Sequence, residues 1–497
     1  MELREGKFIT SYLALPIPPG LLEHEGIRRL LHDKTHSFIM TIDTTYRGGK
    51  KHTYIGLEPQ RTFKLLKHQR NFIFEVNDKE SSNLSYDVEK FLEKNLLLDQ
   101  QRPSGLPPFY GGLFGYIGYE MVERWEELYH NDRDKGLKTT EGLPILYMGL
   151  FDELLCIDHE DGKLFLIKTF PEEEIENALA SLFRKASSLT RSLSKNTPLK
   201  VERESLYLKG FSSNVSKKEF LSMVEQAKEH IKAGEAFQIV ISQRFSFESN
   251  IDPLDLFFSL MEKNPSPYMF FINFPEIKLI GASPEVLVEV KGNRVITRPL
   301  AGTRRKGKSP EENERLKEEL IKDVKERAEH VMLVDLGRND LGKICEPGSV
   351  TVSELMKVES YPHVMHIASQ VEGKLSKGVA PFDVLRAVFP AGTVTGAPKV
   401  RAMELINDME RDPRGPYAGS VGYISFCGDM EMCITIRTIY FYDGRFHIQV
   451  GAGIVSDSNP ETEYRETIYK AMGLFKAVKA LFKNVQQVKE SLFLKEG

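Results

Sequence analysis

Cysteine is scarce in this 497-residue chain, which has only Cys156, Cys345, Cys427 and Cys433. None forms a C-x-x-C pair or shows disulfide spacing, so the thiols read as buried packing groups of a reducing compartment rather than a disulfide scaffold. Long apolar runs are missing as well. No segment approaches the ~18 apolar residues of a membrane-spanning helix, and the opening "MELREGKFIT" has acids at positions 2 and 5 and no signal-peptide stretch. The expectation is a cytoplasmic soluble protein with no membrane partner. Charge of either sign is not in excess. The 67 basic and 71 acidic residues leave −4, with no basic stripe interleaved with aromatics, so nucleic acid is not an expected partner. Nucleotide loops are absent too: "GGLFGYIGYE" (111–120) misses the G-x-G-x-x-G spacing and reads as close strand packing, and "PAGTVTGAPK" (390–399) lacks the G-K-[ST] ending.

What is present is ample core. Hydrophobic residues make up 41% and charged residues 28%, the balance of a globular protein, and the length allows about three domains. "SSLTRSLSKNTPLKVERES" (187–205) is polar and aperiodic and reads as a linker. After it, Ser216 and Glu219 form a capping box, Phe220, Val224, Ala227 and Ile231 make one helical stripe, and Gly234 stops it. Strand patterns follow in "AFQIVISQRFSF", "MFFINF", "VLVEV" and "RVITRPL", then a helix with Ser309 as cap and Pro310 at its first position. "GSVGYISF", "MEMCITIRTIYFY" and "RFHIQVGAGIV" read as later strands, and a terminal helix begins near Pro460. Strands and helices come in blocks, which predicts an α+β fold rather than a doubly wound sheet.

Two E-x-x-E pairs stand out. Glu326 and Glu329 lie on one helical face just ahead of an apolar run, and Glu463 and Glu466 follow the glycine-bearing strand end "GAGIV". Glu173/Glu176 and Glu311/Glu314 share the spacing but read as surface charge. Mg²⁺ takes one or two carboxylates and leaves its other positions to water and an anionic substrate, so one glutamate from each of two helices suits it. Gly451 and Gly453 permit close backbone approach to an anion, or else a tight turn; "PAGTVTGAPK" is a similar candidate cradle. His366, set among apolar residues, reads first as a core histidine. Arg437 is a charge within an apolar strand and needs an anion from the protein or from a ligand. The residues thus point to a magnesium-assisted enzyme acting on a small, multiply anionic molecule.

The segments "FQIVISQRF", "GASPE", "TRPLAGTRR", "KERAEHVMLVDLGRNDLG", "VMHIASQVEG", "FPAGTVTGAPK", "ITIRT" and "GAGIVSDSNPETEYRET" occur in this order. With them the chain resembles the chorismate-utilising enzymes, and among these the family of anthranilate synthase large subunits (component I). The resemblance implies two large packed antiparallel sheets with outer helices. It divides the chain into an N-terminal regulatory or structural region (1–186), a linker (187–208), a chorismate-binding catalytic region (209–485) and a C-terminal tail (486–497). It also implies a reaction of chorismate with ammonia to give anthranilate and pyruvate, the first step from chorismate towards tryptophan. By resemblance Glu329 and Glu466 are direct Mg²⁺ ligands, with Glu326 and Glu463 reaching the ion through waters. Glu285 and His366 match catalytic positions. Arg437, Tyr417 and the Gly453 amide match contacts to the pyruvyl carboxylate, Lys470 lies near the ring carboxylate, and Thr303, Thr393, Gly451 and Ala452 match further substrate contacts.

Two positions choose among relatives. Isochorismate and salicylate synthases carry a water-activating lysine where this chain has Gln238, and one type of aminodeoxychorismate synthase has a nucleophilic lysine where this chain has Ala301, which cannot form an adduct. Aminodeoxychorismate synthase component I and a non-catalytic chorismate- or tryptophan-binding homologue are the alternatives. No cysteine sits in a Gly-x-Cys-x-Gly elbow, so the resemblance implies a separate glutamine amidotransferase subunit and a hetero-oligomer. Feedback-inhibited members bind tryptophan between an "L-L-E-S" and an "N-P-S-P-Y-M" stretch. Here the second is intact (Asn264, Pro265, Ser266, Pro267, Tyr268, Met269), but the first is "FIMTID" with Ile42 at the serine. Losing that hydroxyl removes a contact of about 0.5–1.5 kcal/mol. Tryptophan inhibition is therefore expected to be weak or absent, and full inhibition of the enzyme by micromolar tryptophan in a rate assay contradicts this.

Overall fold

The computed structural model describes residues 7–18, 20–21, 23–31, 33–68, 71–80, 88–96, 98, 101–126, 128, 136–193, 205–361 and 364–482. Among them the strands form two twelve-stranded antiparallel sheets. At the middle of the first, Ser37–Asp43 pairs with Tyr268–Asn273, which pairs with Lys278–Ser283, then Thr438–Tyr442, Arg445–Ile454 and Gln238–Ser249. At the middle of the second, Val364–Lys374 pairs with Arg294–Thr297, followed by Val286–Lys291, Met430–Ile434, Ser420–Ser425 and Gly112–Ile117.

The strands are apolar almost throughout because each of their two faces is covered. In Ser37–Asp43, Phe38, Met40 and Ile42 enter the core between the sheets, whereas Ile39 enters the cluster under the outer helices. In Tyr268–Asn273, Phe270 and Ile272 point to the first and Met269 and Phe271 to the second. Helices Pro253–Lys263 and Pro460–Ala480 supply the outer cover, and Lys217–Lys232 packs Phe220, Val224 and Ala227 on Ile239, Ile241, Ala452 and Ile454. The capping box of Ser216 and Glu219 forms with both bonds. Gly115 confirms the packing role of the 111–120 glycines, since a Cβ there would lie 2.0 Å from Tyr147 O.

Four expectations change. Residues 187–193 are not linker but the end of helix Ile175–Leu193, whose apolar face covers part of the first sheet; 194–204 and the tail 486–497 lie outside the described residues. The boundary between 1–186 and 209–485 does not divide the sheets, because Ser37–Asp43 pairs with Tyr268–Asn273 and Gly112–Ile117 with Ser420–Ser425. "MEMCITIRTIYFY" is two strands, Met430–Ile434 in the second sheet and Thr438–Tyr442 in the first. "RVITRPL" likewise breaks after Thr297, where proline lacks a ladder donor.

One turn of the N-terminal region is anchored in the second sheet. Arg47, in the 3₁₀ turn Thr45–Arg47, places Nη1 2.6 Å from Glu289 and Nη2 3.2 Å from Glu431, and Tyr268 donates to Glu431 at 3.0 Å. Glu289 and Glu431 are buried cross-strand neighbours. Burial first, and then the neighbouring Glu289, push the Glu431 carboxyl up to about 7. Arg47→Ala leaves the buried Glu431 without its cation, whereas Glu289 keeps Lys291, so it is expected to cost about 3 kcal/mol in a chemical denaturation experiment; a change under about 1 kcal/mol contradicts the buried pairing.

Candidate active site

Neighbouring strands change sheets at two adjacent points, and each carries a charged residue. Lys278–Ser283 belongs to the first sheet and Val286–Lys291 to the second, with Glu285 at the crossing. Met430–Ile434 and Thr438–Tyr442 make the opposite change, with Arg437 at the crossing in a left-handed conformation (φ 49°). Backbone bonds lock the two together: Ile434 N donates to Glu285 O at 3.0 Å, and Ala282 N donates to Arg437 O at 3.1 Å.

The Glu285 carboxyl is buried, and Oε1 accepts from Leu300 N at 3.2 Å. Burial pushes it up to about 8, offset in part by that bond, by nearby Thr393 and by the Arg437 charge. Thr393 Oγ1 is itself buried and makes no hydrogen bond of normal geometry, although it stands near enough to favour the ionised carboxylate. Burial pulls the Arg437 guanidinium down, and Glu285 and Tyr361 oppose this. Among the described residues no carboxylate forms an ion pair with Arg437. A buried guanidinium without an ion pair of its own is able to take an anion.

His366, on strand Val364–Lys374, lies within reach of the Arg437 charge. Burial first, and then the charges of Arg437 and Lys470, lower its pKa to about 4, so the ring is neutral. Its Nδ1 lies 3.1 Å from Gly302 O. A carbonyl only accepts, so the proton sits on Nδ1 and Nε2 carries the lone pair. Thr303 is opposite His366 in the strand register, but its side chain lies outside the described residues.

The glycines of Arg445–Ile454 shape the other wall. A Cβ on Gly451 would lie 2.6 Å from the Tyr417 hydroxyl, and one on Gly453 would lie 2.6 Å from Gln238 Nε2. Ala452, between them, turns to the outer helices. Tyr417 is buried, and burial raises its phenol to about 12, so it stays a donor. Lys470 Nζ donates to Gly451 O at 2.8 Å and pairs with Glu466 at 2.8 Å.

The four glutamates follow. Helix Val324–Gly342 is capped by Asp323, which accepts from Lys325 N and Glu326 N. Glu326 pairs with Arg304 at 3.0 Å, and Glu329 accepts from Gln238 Nε2 at 2.6 Å. Burial raises the Glu329 pKa; the Gln238 bond opposes this, and the charges of Glu326 and Glu466 add to it. Burial also raises that of Glu463, again with a contribution from Glu466. The two helices therefore bring their carboxylates within reach of each other's field, where a cation relieves the repulsion. Among the described residues no three His, Cys, Asp or Glu side chains form a group that could hold a metal ion. A cleft of about 700 Å³ opens beside Glu329, lined by Phe237, Met332, Leu336, Ala397, Pro398 and Val455.

The anion cradle expected at "PAGTVTGAPK" loses its lysine. Lys399 is buried and donates to Asp340 at 2.7 Å and to Val388 O at 2.9 Å. Ile42 and Tyr268 are direct cross-strand partners in the inter-sheet core, and Asp43 N donates to Pro267 O at 2.8 Å. The two stretches of the expected tryptophan site thus adjoin, Tyr268 reaching the Arg47 cluster. Asn264 caps the end of helix Pro253–Lys263.

Residues 43–476 match the family described as chorismate binding enzyme. The chain belongs to that family. Anthranilate synthase component 1 of Acetivibrio thermocellus is 44% identical over 381 residues, 75% of this chain and 76% of its own. That of Thermus thermophilus is 41% identical over 439 residues, 88% and 91%. The crystal structure of anthranilate synthase component I from Streptococcus pneumoniae TIGR4 superposes with a TM-score of 0.74 at 36% identity, covering 86% of this chain and 92% of that one.

In this chorismate-binding enzyme the sequence motifs did not reveal the groups that hold the site residues: Arg304 on Glu326, Tyr361 beside His366, and Arg414 under Tyr417, its guanidinium 5.5 Å from the ring. No local spacing signals such partners; the only hint was a charge within an apolar segment. A stability test addresses Glu285. Between the ordinary carboxyl range and about 8 the folded state keeps a proton that the unfolded state has lost, so its stability falls as pH rises through this window. Glu285→Gln cannot ionise and still accepts from Leu300 N. Its urea midpoint relative to wild type should rise between about pH 5 and about pH 9, and a pH-independent difference contradicts the raised pKa.

Proposed function

We propose that the chain is an anthranilate synthase large subunit, aminating chorismate with ammonia and releasing pyruvate. The observation that carries this reading is the two-helix carboxylate pair set across a glycine-bearing strand from a buried arginine able to take a ligand anion, an arrangement matched to a dicarboxylate. The relatives above bear the same name.

The donor set fits Mg²⁺, with Glu329 and Glu466 as direct ligands and Glu326 and Glu463 acting through waters. When bound, the ion draws electron density from the ring through its carboxylate. Arg437 and Tyr417 hold the enolpyruvyl carboxylate with the Gly453 N–H, and Lys470 approaches the ring carboxylate. Gly451, Ala452, Thr303 and Thr393 complete the surround. Glu285, protonated at neutral pH, gives its proton to the C4 hydroxyl, which leaves as water while the ammonia nitrogen bonds to C2. His366 presents its Nε2 lone pair and orients that hydroxyl. The new amine sheds a proton. The enolpyruvyl group then leaves as pyruvate, and loss of the C2 proton aromatises the ring.

Gln238 supports ammonia over water as nucleophile, because an amide bonded to Glu329 is no base for water. Ala301 supports anthranilate over the aminodeoxychorismate branch. Ammonia comes from a separate glutamine amidotransferase subunit in a cytoplasmic hetero-oligomer; among the described residues no helix is long and apolar enough to cross a membrane. The test is anthranilate fluorescence from the purified chain with chorismate, Mg²⁺ and an ammonium salt. Wild type should turn over and Glu329→Gln should lose at least about 100-fold in rate with an unchanged melting temperature; an unaffected Glu329→Gln rate contradicts the metal assignment.

A further inference from the structure

Tyr361 follows strand Thr351–Ser360, and its N–H donates at 2.8 Å to the O of Val364, the first residue of strand Val364–Lys374. Its ring meets His366 edge-on, with centroids 5.6 Å apart and planes at 62°. Its hydroxyl donates to Glu359 Oε2 at 2.8 Å, and Glu359 Oε1 accepts from Arg298 at 2.7 Å. Glu359 is the cross-strand partner of His366. Arg298, only 2% exposed, also bonds Glu354 at 2.9 Å. Tyr46 closes the assembly from the N-terminal region, its ring 5.8 Å from that of Tyr361 and 5.8 Å from the Arg298 guanidinium. Tyr46 is itself fixed by its neighbour Arg47 on Glu289 and Glu431.

We propose that Tyr361 is a positioning residue for His366, clamped by the Arg298–Glu359 pair and backed by Tyr46, so that the N-terminal turn Thr45–Arg47 holds the reacting geometry of a site far from it in the chain. The bond from Nδ1 to Gly302 O sets one edge of the imidazole, the Tyr361 ring packs against it at a second point, and the clamp keeps that ring in place. Burial keeps the Tyr361 phenol protonated at all working pH values, so its bond to Glu359 is constant.

This rests on the role given to His366 above, and the experiment separates the two. The purified chain is assayed with chorismate, Mg²⁺ and saturating ammonium salt for wild type, Tyr361→Leu, Tyr361→Phe, Tyr46→Leu and His366→Ala. Tyr361→Leu should lower kcat by about tenfold or more, the cost of a displaced reacting group, with the chorismate KM within about twofold. Tyr361→Phe keeps the ring but loses the Glu359 bond, and its kcat should fall between those of Tyr361→Leu and wild type. Tyr46→Leu, whose site residues are all intact, should lower kcat in the same direction and serves if Tyr361→Leu does not fold. The His366 ring ¹⁵N signals should show a single Nδ1–H tautomer in wild type and tautomer averaging in Tyr361→Leu. Wild-type kcat in Tyr361→Leu and Tyr46→Leu beside an impaired His366→Ala overturns the positioning role alone. A loss confined to KM overturns it too. A wild-type rate in His366→Ala overturns the assignment of His366 and the positioning role with it.

Discussion

Arg437 and Glu285 sit where two neighbouring strands leave one sheet for the other, and the rest of the site is arranged around that pair. Strands covered on both faces hold a charge along their length only where it is paired, as Arg47 pairs Glu289 and Glu431, because an unpaired ion there loses its hydration. At the crossings the pleat is interrupted and a side chain can turn towards the seam between the sheets. The seam is still dry enough to keep Glu285 a neutral acid and His366 a neutral imidazole. Burial at the strand crossings thus produces a proton donor and a cation with no ion pair of its own, and burial within strand Val364–Lys374 leaves His366 a neutral acceptor.

The carboxylate pairs answer a complementary constraint. Glu329 and Glu466 belong to helices outside the sheets, and they reach the site only because the strand between them carries glycine at 451 and 453. Side chains at those two positions would strike Tyr417 and Gln238. Repulsion among the four glutamates is the electrostatic counterpart of the unpaired arginine: one end of the site calls for a cation and the other for an anion. A small dicarboxylate with a divalent ion satisfies both at once.

Much of this was legible in the sequence. The α+β class, the capping boxes, the terminal helix at Pro460 and the two E-x-x-E pairs follow from local periodicity and spacing, and the structure has them. The strand break at 435–437 was not legible, because a chain that passes between two buried sheets stays apolar on both sides of the crossing and shows no change of pattern; the break at 298–299 stays within the second sheet. The function of Arg437 was readable as a charge out of place; its location at a crossing was not. Partners such as Arg304, Tyr361 and Tyr46 come from segments distant in sequence, where no spacing rule applies. The helix through 193 escaped notice because its exposed face is rich in serine and reads as a linker.

The central claim is that the site both aminates its substrate and eliminates the enolpyruvyl group. Anthranilate and pyruvate should therefore be measured together during turnover of chorismate by the purified chain with Mg²⁺ and ammonia. The account predicts equal amounts of the two at every time point. Chorismate consumed without pyruvate contradicts it and would make the product an amino intermediate that still bears its enolpyruvyl side chain.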